Sequence, residues 1–162
     1  MNDGPEYYYR KNLWPSQNSY VECWFEKGAI MSVVERLHTK YQVTMRPFRG
    51  HASRTYCADI AKDFALVDRP ITVYYCGDHD PSRYAIPRSG ESRVRKILSE
   101  DYAGLSADFT FVRLGFKPEH FERHKLESWD VEQKKDDVNY KWFVDNFGEK
   151  CAEIDAIPPD EL

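Results

Sequence analysis

What this chain of 162 residues lacks already limits its function. The four cysteines never form a CxxC pair, which argues against a zinc ribbon or a redox motif and favours reduced, mostly buried thiols. No apolar run approaches the ~20 residues that span a bilayer, and the amino terminus lacks the features of a signal peptide. We therefore expect a cytoplasmic protein without a membrane partner.

The chain also lacks a strong charge of either sign. Its formal net charge of −4 supplies no global attraction to nucleic acid, although a local basic rim would be invisible in that sum. Hydrophobic residues make up 41% and charged residues 31%, which is typical of a globular protein with one core. We assign residues 1–19 to a leader segment and residues 20–162 to one domain.

Strand and helix patterns alternate along the domain. The stretch "VECWF" predicts a strand, and apolar residues at helical spacing follow it up to Tyr41. A strand over 43–50 and a helix over 51–69, capped by Ser53 or Thr55, repeat the unit. After the strand "ITVYYCG" we predict a loop over 78–90, a helix over 91–103, a strand over 107–116, a short helix over 118–126, an irregular segment over 127–140, a helix over 141–150 and a strand over 151–157. This alternation predicts an α/β fold, a Rossmann-like doubly wound and mostly parallel sheet flanked by helices.

Charged residues follow three of the predicted strands directly. Glu26 follows the first strand, Arg49 closes the second, and Asp78 and Asp80 close the third. The carboxyl ends of parallel strands meet at one edge, where α/β proteins bind ligands. Two aspartates in a DxD pattern are suitable oxygen ligands for Mg²⁺. The alternative is that this pair only caps a turn before Pro81.

These motifs together resemble the Toprim family, the module shared by topoisomerases, bacterial primases and OLD-family nucleases. The segments that carry the resemblance are "YVECWFEKGA", "RGHAS", "GDHDPSR" and "EIDAIPPDEL". The chain is most similar to uncharacterised bacterial and phage Toprim-like proteins related to the topoisomerase VI A subunit. The resemblance covers residues 20–162.

The resemblance implies a magnesium site and phosphodiester chemistry. Glu26 matches the family's catalytic glutamate, a general acid or base or a further metal ligand, and Asp78 and Asp80 match its magnesium-binding pair. Glu153 and Asp155 match a late acidic strand and are additional candidate ligands, or else belong to a partly exposed final strand. The implied activity is that of a nuclease or a topoisomerase-like enzyme, on DNA more than on RNA.

The chain also departs from the family's pattern. Arg83 stands where glycine is usual after the DxDPS motif, so it either crowds the site or contacts a phosphate. Lys27 and Arg49 are further candidate phosphate-binding residues. Topoisomerase VI type cleavage also needs a winged-helix domain with a nucleophilic tyrosine, so we expect a separate nucleophile-bearing domain for that reaction.

Two other functions remain open. The first is a non-catalytic nucleic-acid-binding or regulatory module that keeps the fold and cuts nothing, which Arg83 favours. The second is a metal-dependent enzyme of nucleotide sugars, because DxD motifs also hold a divalent ion that bridges a diphosphate. That second function leaves Glu26 without a role.

Overall fold

The computed structural model describes residues 13–26, 30–48, 50, 52–105 and 108–157. The strands are β1 (Tyr20–Phe25), β2 (Thr44–Pro47), β3 (Ile71–Cys76), β4 (Phe109–Gly115), β5 (Trp129–Asp130) and β6 (Lys150–Cys151). The helices are α1 (Met31–Tyr41), α2 (Arg54–Ala65), α3 (Pro81–Asp101), α4 (Pro118–His124) and α5 (Tyr140–Phe147). Short 3-10 turns lie at Trp14–Ser16, Val131–Lys134 and Ile154–Ala156.

Four strands form a parallel sheet in the order β2-β1-β3-β4. Phe25, the last residue of β1, lies opposite both Pro47 of β2 and Cys76 of β3. The three strands therefore end at the same edge, and the segments that follow them emerge side by side. The chain is an α/β protein with a four-stranded parallel sheet flanked by helices, compatible with a Rossmann-like fold.

The larger hydrophobic core lies between the sheet and the helices α2 and α3. Trp24 of β1 is fully buried there and stacks on Phe48, with ring centroids 4.7 Å apart. Gly90 of α3 allows this close packing, because a Cβ at that position would collide with the Phe48 ring. Stacked and edge-on aromatic pairs add to the free energy gained by burial alone. This core fixes the direction of the even-numbered side chains of β1.

A second hydrophobic core lies on the other face of β1. It is formed by Phe25, Ile30, Phe116, Phe121, Ala152, Ile154 and Ile157. Alternate side chains of a strand point to opposite faces of the sheet, so Phe25 packs here while Trp24 packs in the larger core. The second core joins the end of β1 to the carboxyl-terminal segment of the described chain.

Helix α3 begins ten residues earlier than the sequence predicted. The predicted loop over 78–90 is wrong beyond residue 80, because α3 runs from Pro81 to Asp101 with Pro87 inside it. A proline has no N–H to donate to the carbonyl four residues before it. Here that carbonyl belongs to Arg83, and the Arg113 guanidinium donates to it at 3.4 Å. A side chain of β4 thus replaces the hydrogen bond that Pro87 removes.

The predicted final strand over 151–157 is also wrong. Lys150–Cys151 pairs antiparallel with β5, apart from the main sheet, and a 3-10 turn follows at Ile154–Ala156. The backbone of this segment bonds to the residues after β3 and not to a strand of the main sheet. Ala152 pairs with His79, and the Ile154 amide donates to Asp78. The segment therefore packs against the residues that follow β3 and does not extend the sheet.

Two smaller predictions, the cap of α2 and the free cysteines, are confirmed. Ser53 caps α2, since its hydroxyl oxygen accepts a hydrogen bond from the Tyr56 amide. All four cysteines are free, and only Cys76 is not fully buried. In the part of the chain that the structure describes, no helix combines the length and apolar character needed to cross a bilayer.

Candidate acidic centre

Glu26 lies at the carboxyl end of β1, where the strand delivers it into the interior. The residue is only 3% exposed, and its backbone amide donates to the carbonyl of Cys76 at 3.2 Å. That hydrogen bond continues the pairing of β1 with β3 by one residue. It holds Glu26 beside Gly77 and Asp78, which follow β3.

Asp78 and Asp80 are both buried, and each uses one carboxylate oxygen to bind a backbone amide. Asp78 Oδ1 accepts from the Ile154 amide at 2.9 Å. Asp80 Oδ1 accepts from the Arg83 amide at 2.9 Å and so caps α3, a role for which aspartate is favoured. Capping is therefore one role of Asp80, although it caps the helix α3 and not a turn before Pro81. Capping does not account for Asp78, whose partner is 76 residues away.

The Arg83 guanidinium lies among the three carboxylates. Its Nη1 donates to Glu26 Oε1, while its Nε lies 3.9 Å from Asp78 Oδ2 and 3.9 Å from Asp80 Oδ2. The second oxygen of each aspartate is thus turned toward the same cation. Residues from β1, from the segment after β3 and from the first turn of α3 meet at one point.

The electrostatics of this centre are dominated by burial. Burial raises the pKa of Glu26 from 4.5 to about 7; Arg83 opposes that rise, and the neighbouring charges of Asp78 and Asp80 add to it. Burial also raises the pKa of Asp80, against the hydrogen bond from the Arg83 amide. A carboxyl group with a pKa near neutrality can both accept and release a proton at physiological pH.

Two residues that the sequence did not single out, Tyr75 and Arg113, form hydrogen bonds that hold the centre in place. The Tyr75 hydroxyl donates to Glu26 Oε2 at 3.4 Å, and burial raises the pKa of that hydroxyl. Gly77 leaves room for it, since a Cβ there would lie 2.7 Å from the Tyr75 hydroxyl oxygen. Arg113 donates to the carbonyls of Gly77 and Asp78 and stacks on the Tyr84 ring. Tyr75 and Arg113 were missed because each lies within a strand pattern that the sequence explains by packing.

His79, between the two aspartates, does not join them. Its ring is fully buried among aromatic side chains, namely Tyr84, Phe116, Phe121, Phe143 and Phe147. The Tyr84 hydroxyl donates to the Phe116 carbonyl, so it accepts from His79 Nδ1 at 3.0 Å. His79 Nε2 has no hydrogen-bond partner among the described residues. Burial lowers the pKa of His79 to about 4, so the ring is neutral.

The remaining predicted site residues lie elsewhere or outside the described residues. Glu153 and Asp155 are exposed and do not extend the buried centre. Ile154, between them, is buried and supplies the amide that binds Asp78. Lys27 and Arg49 lie outside the described residues.

The donor atoms of the centre suit a hard divalent cation, but their arrangement suits a guanidinium. Carboxylate oxygens are the ligands that Mg²⁺ prefers. Among the residues that the structure describes, however, no three acidic, histidine or cysteine side chains are grouped closely enough to hold a metal ion. Arg83 stands where its guanidinium faces the Oδ2 atoms of Asp78 and Asp80. The donor atoms are therefore of the kind that magnesium takes, but in this structure the Arg83 side chain contacts them.

The sequence matches no protein-family model and no curated protein. The resemblance to the Toprim family therefore depends on the motifs and on their places in the chain.

Proposed function

We propose that the acidic centre is a magnesium-dependent site that acts on the phosphodiester bonds of nucleic acid, DNA more than RNA. The observation that carries this proposal is the convergence of Glu26, Asp78 and Asp80, three buried carboxylates, at the carboxyl edge of a parallel sheet. Burying several carboxylates together is costly unless cations neutralise them. A protein that keeps such a cluster at a sheet edge is best explained by a function that needs it.

Each carboxylate has a distinct role in this proposal. Asp78 and Asp80 would hold the cation through their carboxylate groups, whose Oδ1 atoms also accept backbone hydrogen bonds. Magnesium, when bound, supplies positive charge to the phosphate that is attacked. Glu26 transfers a proton, a role that suits a buried carboxyl group whose protonated form is favoured by its surroundings. Tyr75 and Arg113 position Glu26 and the Gly77–Asp78 backbone.

The test is cleavage of single- and double-stranded DNA and RNA in the presence and absence of Mg²⁺. We expect Mg²⁺-dependent cleavage that falls by ~100-fold or more in Glu26→Gln, the range typical of a lost general acid or base. Asp78→Asn keeps an oxygen for the Ile154 amide and should lose cleavage through weaker cation binding.

Asp145→Asn is the control for this experiment. It removes a carboxylate charge from the exposed surface of α5 and should leave cleavage unchanged. Full activity of Glu26→Gln would contradict the proposed role of Glu26. Turnover of a nucleotide sugar without cleavage of nucleic acid would favour the nucleotide-sugar enzyme instead.

A second function is favoured by one observation, the contact between Arg83 and Glu26. A protein in which Arg83 replaces the metal permanently would be a non-catalytic nucleic-acid-binding module. Such a module would bind nucleic acid without Mg²⁺ and would cleave none of the substrates. Binding that is unaffected by chelation, together with no cleavage, would select this function.

A further inference from the structure

The acidic centre is asymmetric, because its carboxylates are fixed and its cation is accessible to solvent. The side chains of Glu26 and Asp78 are 2% and 3% exposed, whereas that of Arg83 is 34% exposed. Both aspartates are also held by backbone amides that do not depend on the guanidinium. If one side chain leaves the centre, it is therefore that of Arg83.

Counted over the residues that the structure describes, the centre has more negative than positive charge. Three carboxylates surround one guanidinium, which leaves a formal charge of −2 when all of them are ionised. Lys134 acts on Asp80 from an exposed position, where solvent screens its charge. A divalent cation in place of the guanidinium would neutralise the cluster more completely than Arg83 does.

We propose that Arg83 is a replaceable cation: its guanidinium holds the centre together in the ion-free protein and leaves it when a divalent ion binds. This inference rests on the cation site of the proposed function and adds that Arg83 sets the affinity of that site. Because the guanidinium and the ion need the same carboxylate oxygens, they compete. The apparent affinity for the ion is reduced by the fraction of molecules in which Arg83 occupies the centre.

The exchange needs no change in the backbone. The bond that caps α3 joins Asp80 Oδ1 to the Arg83 amide, and the Arg83 carbonyl accepts from Arg113. Both of these bonds involve backbone atoms of Arg83, so they persist when the side chain rotates. The displaced guanidinium remains at the first turn of α3, where it can contact the phosphate of a bound nucleic acid.

The experiment compares the binding of Mn²⁺ alone to the whole chain, with and without Arg83. Mn²⁺ affinity is measured by electron paramagnetic resonance and calorimetry in wild type, Arg83→Gln and Arg95→Gln. Arg95 is the matched control, since it lies on the same helix, is 37% exposed and pairs with two carboxylates, Glu91 and Asp108. We expect Arg83→Gln to bind Mn²⁺ about tenfold or more tightly than wild type, and Arg95→Gln to bind as wild type does.

The outcomes separate this inference from the proposed function. Equal affinity in wild type and Arg83→Gln, or weaker affinity in Arg83→Gln, would overturn the exchange and leave a cation site in place. No Mn²⁺ binding in either protein would overturn the magnesium-dependent function itself. Tight binding that Asp78→Asn does not reduce in the Arg83→Gln background would place the ion elsewhere and overturn both.

A measurement on the wild type avoids any effect of the substitution on folding. The Arg83 Nε–H resonance, assigned by ¹⁵N labelling, reports the environment of the guanidinium directly. We expect Mg²⁺ to shift this resonance toward that of a solvated arginine, with the same midpoint as ion binding. A resonance that stays unchanged at saturating Mg²⁺ would show that Arg83 does not leave, and the exchange would be refuted.

Discussion

Two buried glutamates, Glu22 within strand β1 and Glu26 directly after it, have opposite surroundings. Glu22 and Glu26 are four residues apart and therefore point to the same face of the sheet. Glu22 accepts two hydrogen bonds from Arg46, at 2.7 and 2.9 Å, and one each from Tyr20 and Trp24. Its two oxygens are thus fully used by donors that belong to the sheet.

Glu26 is equally buried, but it shares its cation with two other acids. One guanidinium, that of Arg83, serves Glu26, Asp78 and Asp80. Among the described residues, Tyr75 makes a further side-chain contact with Glu26, at 3.4 Å. A buried charge without a full partner is costly, and ionisable groups in such surroundings cluster at functional sites. The difference supports the proposal that Glu26 belongs to a binding site, whereas Glu22 joins neighbouring strands of the sheet.

The largest expected effect is a loss of stability on replacing Glu22. Glu22→Gln removes the charge that pairs with Arg46 and should lower the free energy of unfolding by about 3 kcal/mol, because it leaves a largely buried guanidinium with Asp63 alone. Glu26→Gln should cost little stability or increase it, since it relieves repulsion among the acids. Urea unfolding of both variants measures the difference. A greater loss in Glu26→Gln than in Glu22→Gln would reverse the assignment.

The titration of Glu26 makes the free energy of unfolding depend on pH. Its folded-state pKa of about 7 lies above its ordinary value of 4.5, so the native state binds the proton more tightly than the unfolded chain does. The stability from this difference is present below pH 4.5 and is lost as the pH rises through about 7. The unfolding free energy of wild type relative to Glu26→Gln should therefore fall between pH 4.5 and 7.

Measuring this difference between the two proteins removes the other titrating groups, to a first approximation. His79, whose lowered pKa makes stability fall as the pH drops from 6.5 to about 4, is present in both. Unfolding in urea at several pH values, without divalent ions, gives the curve. A difference that is constant over this range would show that Glu26 keeps its ordinary pKa.

The smallest expected effect concerns Tyr75. Its hydrogen bond to Glu26 is long, at 3.4 Å, so Tyr75→Phe should lower the free energy of unfolding by less than about 1 kcal/mol. The bond lowers the pKa of Glu26, and its loss should raise that pKa further. A ¹³C titration of the Glu26 carboxyl group in both proteins measures the shift. A lower pKa in Tyr75→Phe would contradict the role of the hydroxyl as a donor.

The sequence predicted the sheet and the edge at which the acids meet. Glu26 and the Asp78–Asp80 pair each follow an apolar strand directly, and parallel strands end together, so their proximity follows from local patterns. What could not be predicted is that Arg83 contacts all three acids. That contact requires α3 to begin at Pro81 in spite of Pro87, because Arg83 then lies in its first turn.

The role of Glu22 was missed for a related reason. A single glutamate in an apolar strand has no sequence signature that separates a structural ion pair from a catalytic acid. Its partner Arg46 lies 24 residues away, on the neighbouring strand. Only the register of β1 against β2, which places Trp24 opposite Arg46, brings the two together.

The hydrogen bond from the Ile154 amide to Asp78 has a consequence for the order of events during synthesis. The strands β1 and β3 leave the ribosome long before residues 152–154 do, so the nascent chain has the acids without the backbone that orients Asp78. Asp78 can accept its hydrogen bond from the Ile154 amide only after Ile154 has been synthesised. Incomplete polypeptides therefore lack the finished site, even when their sheet has already formed.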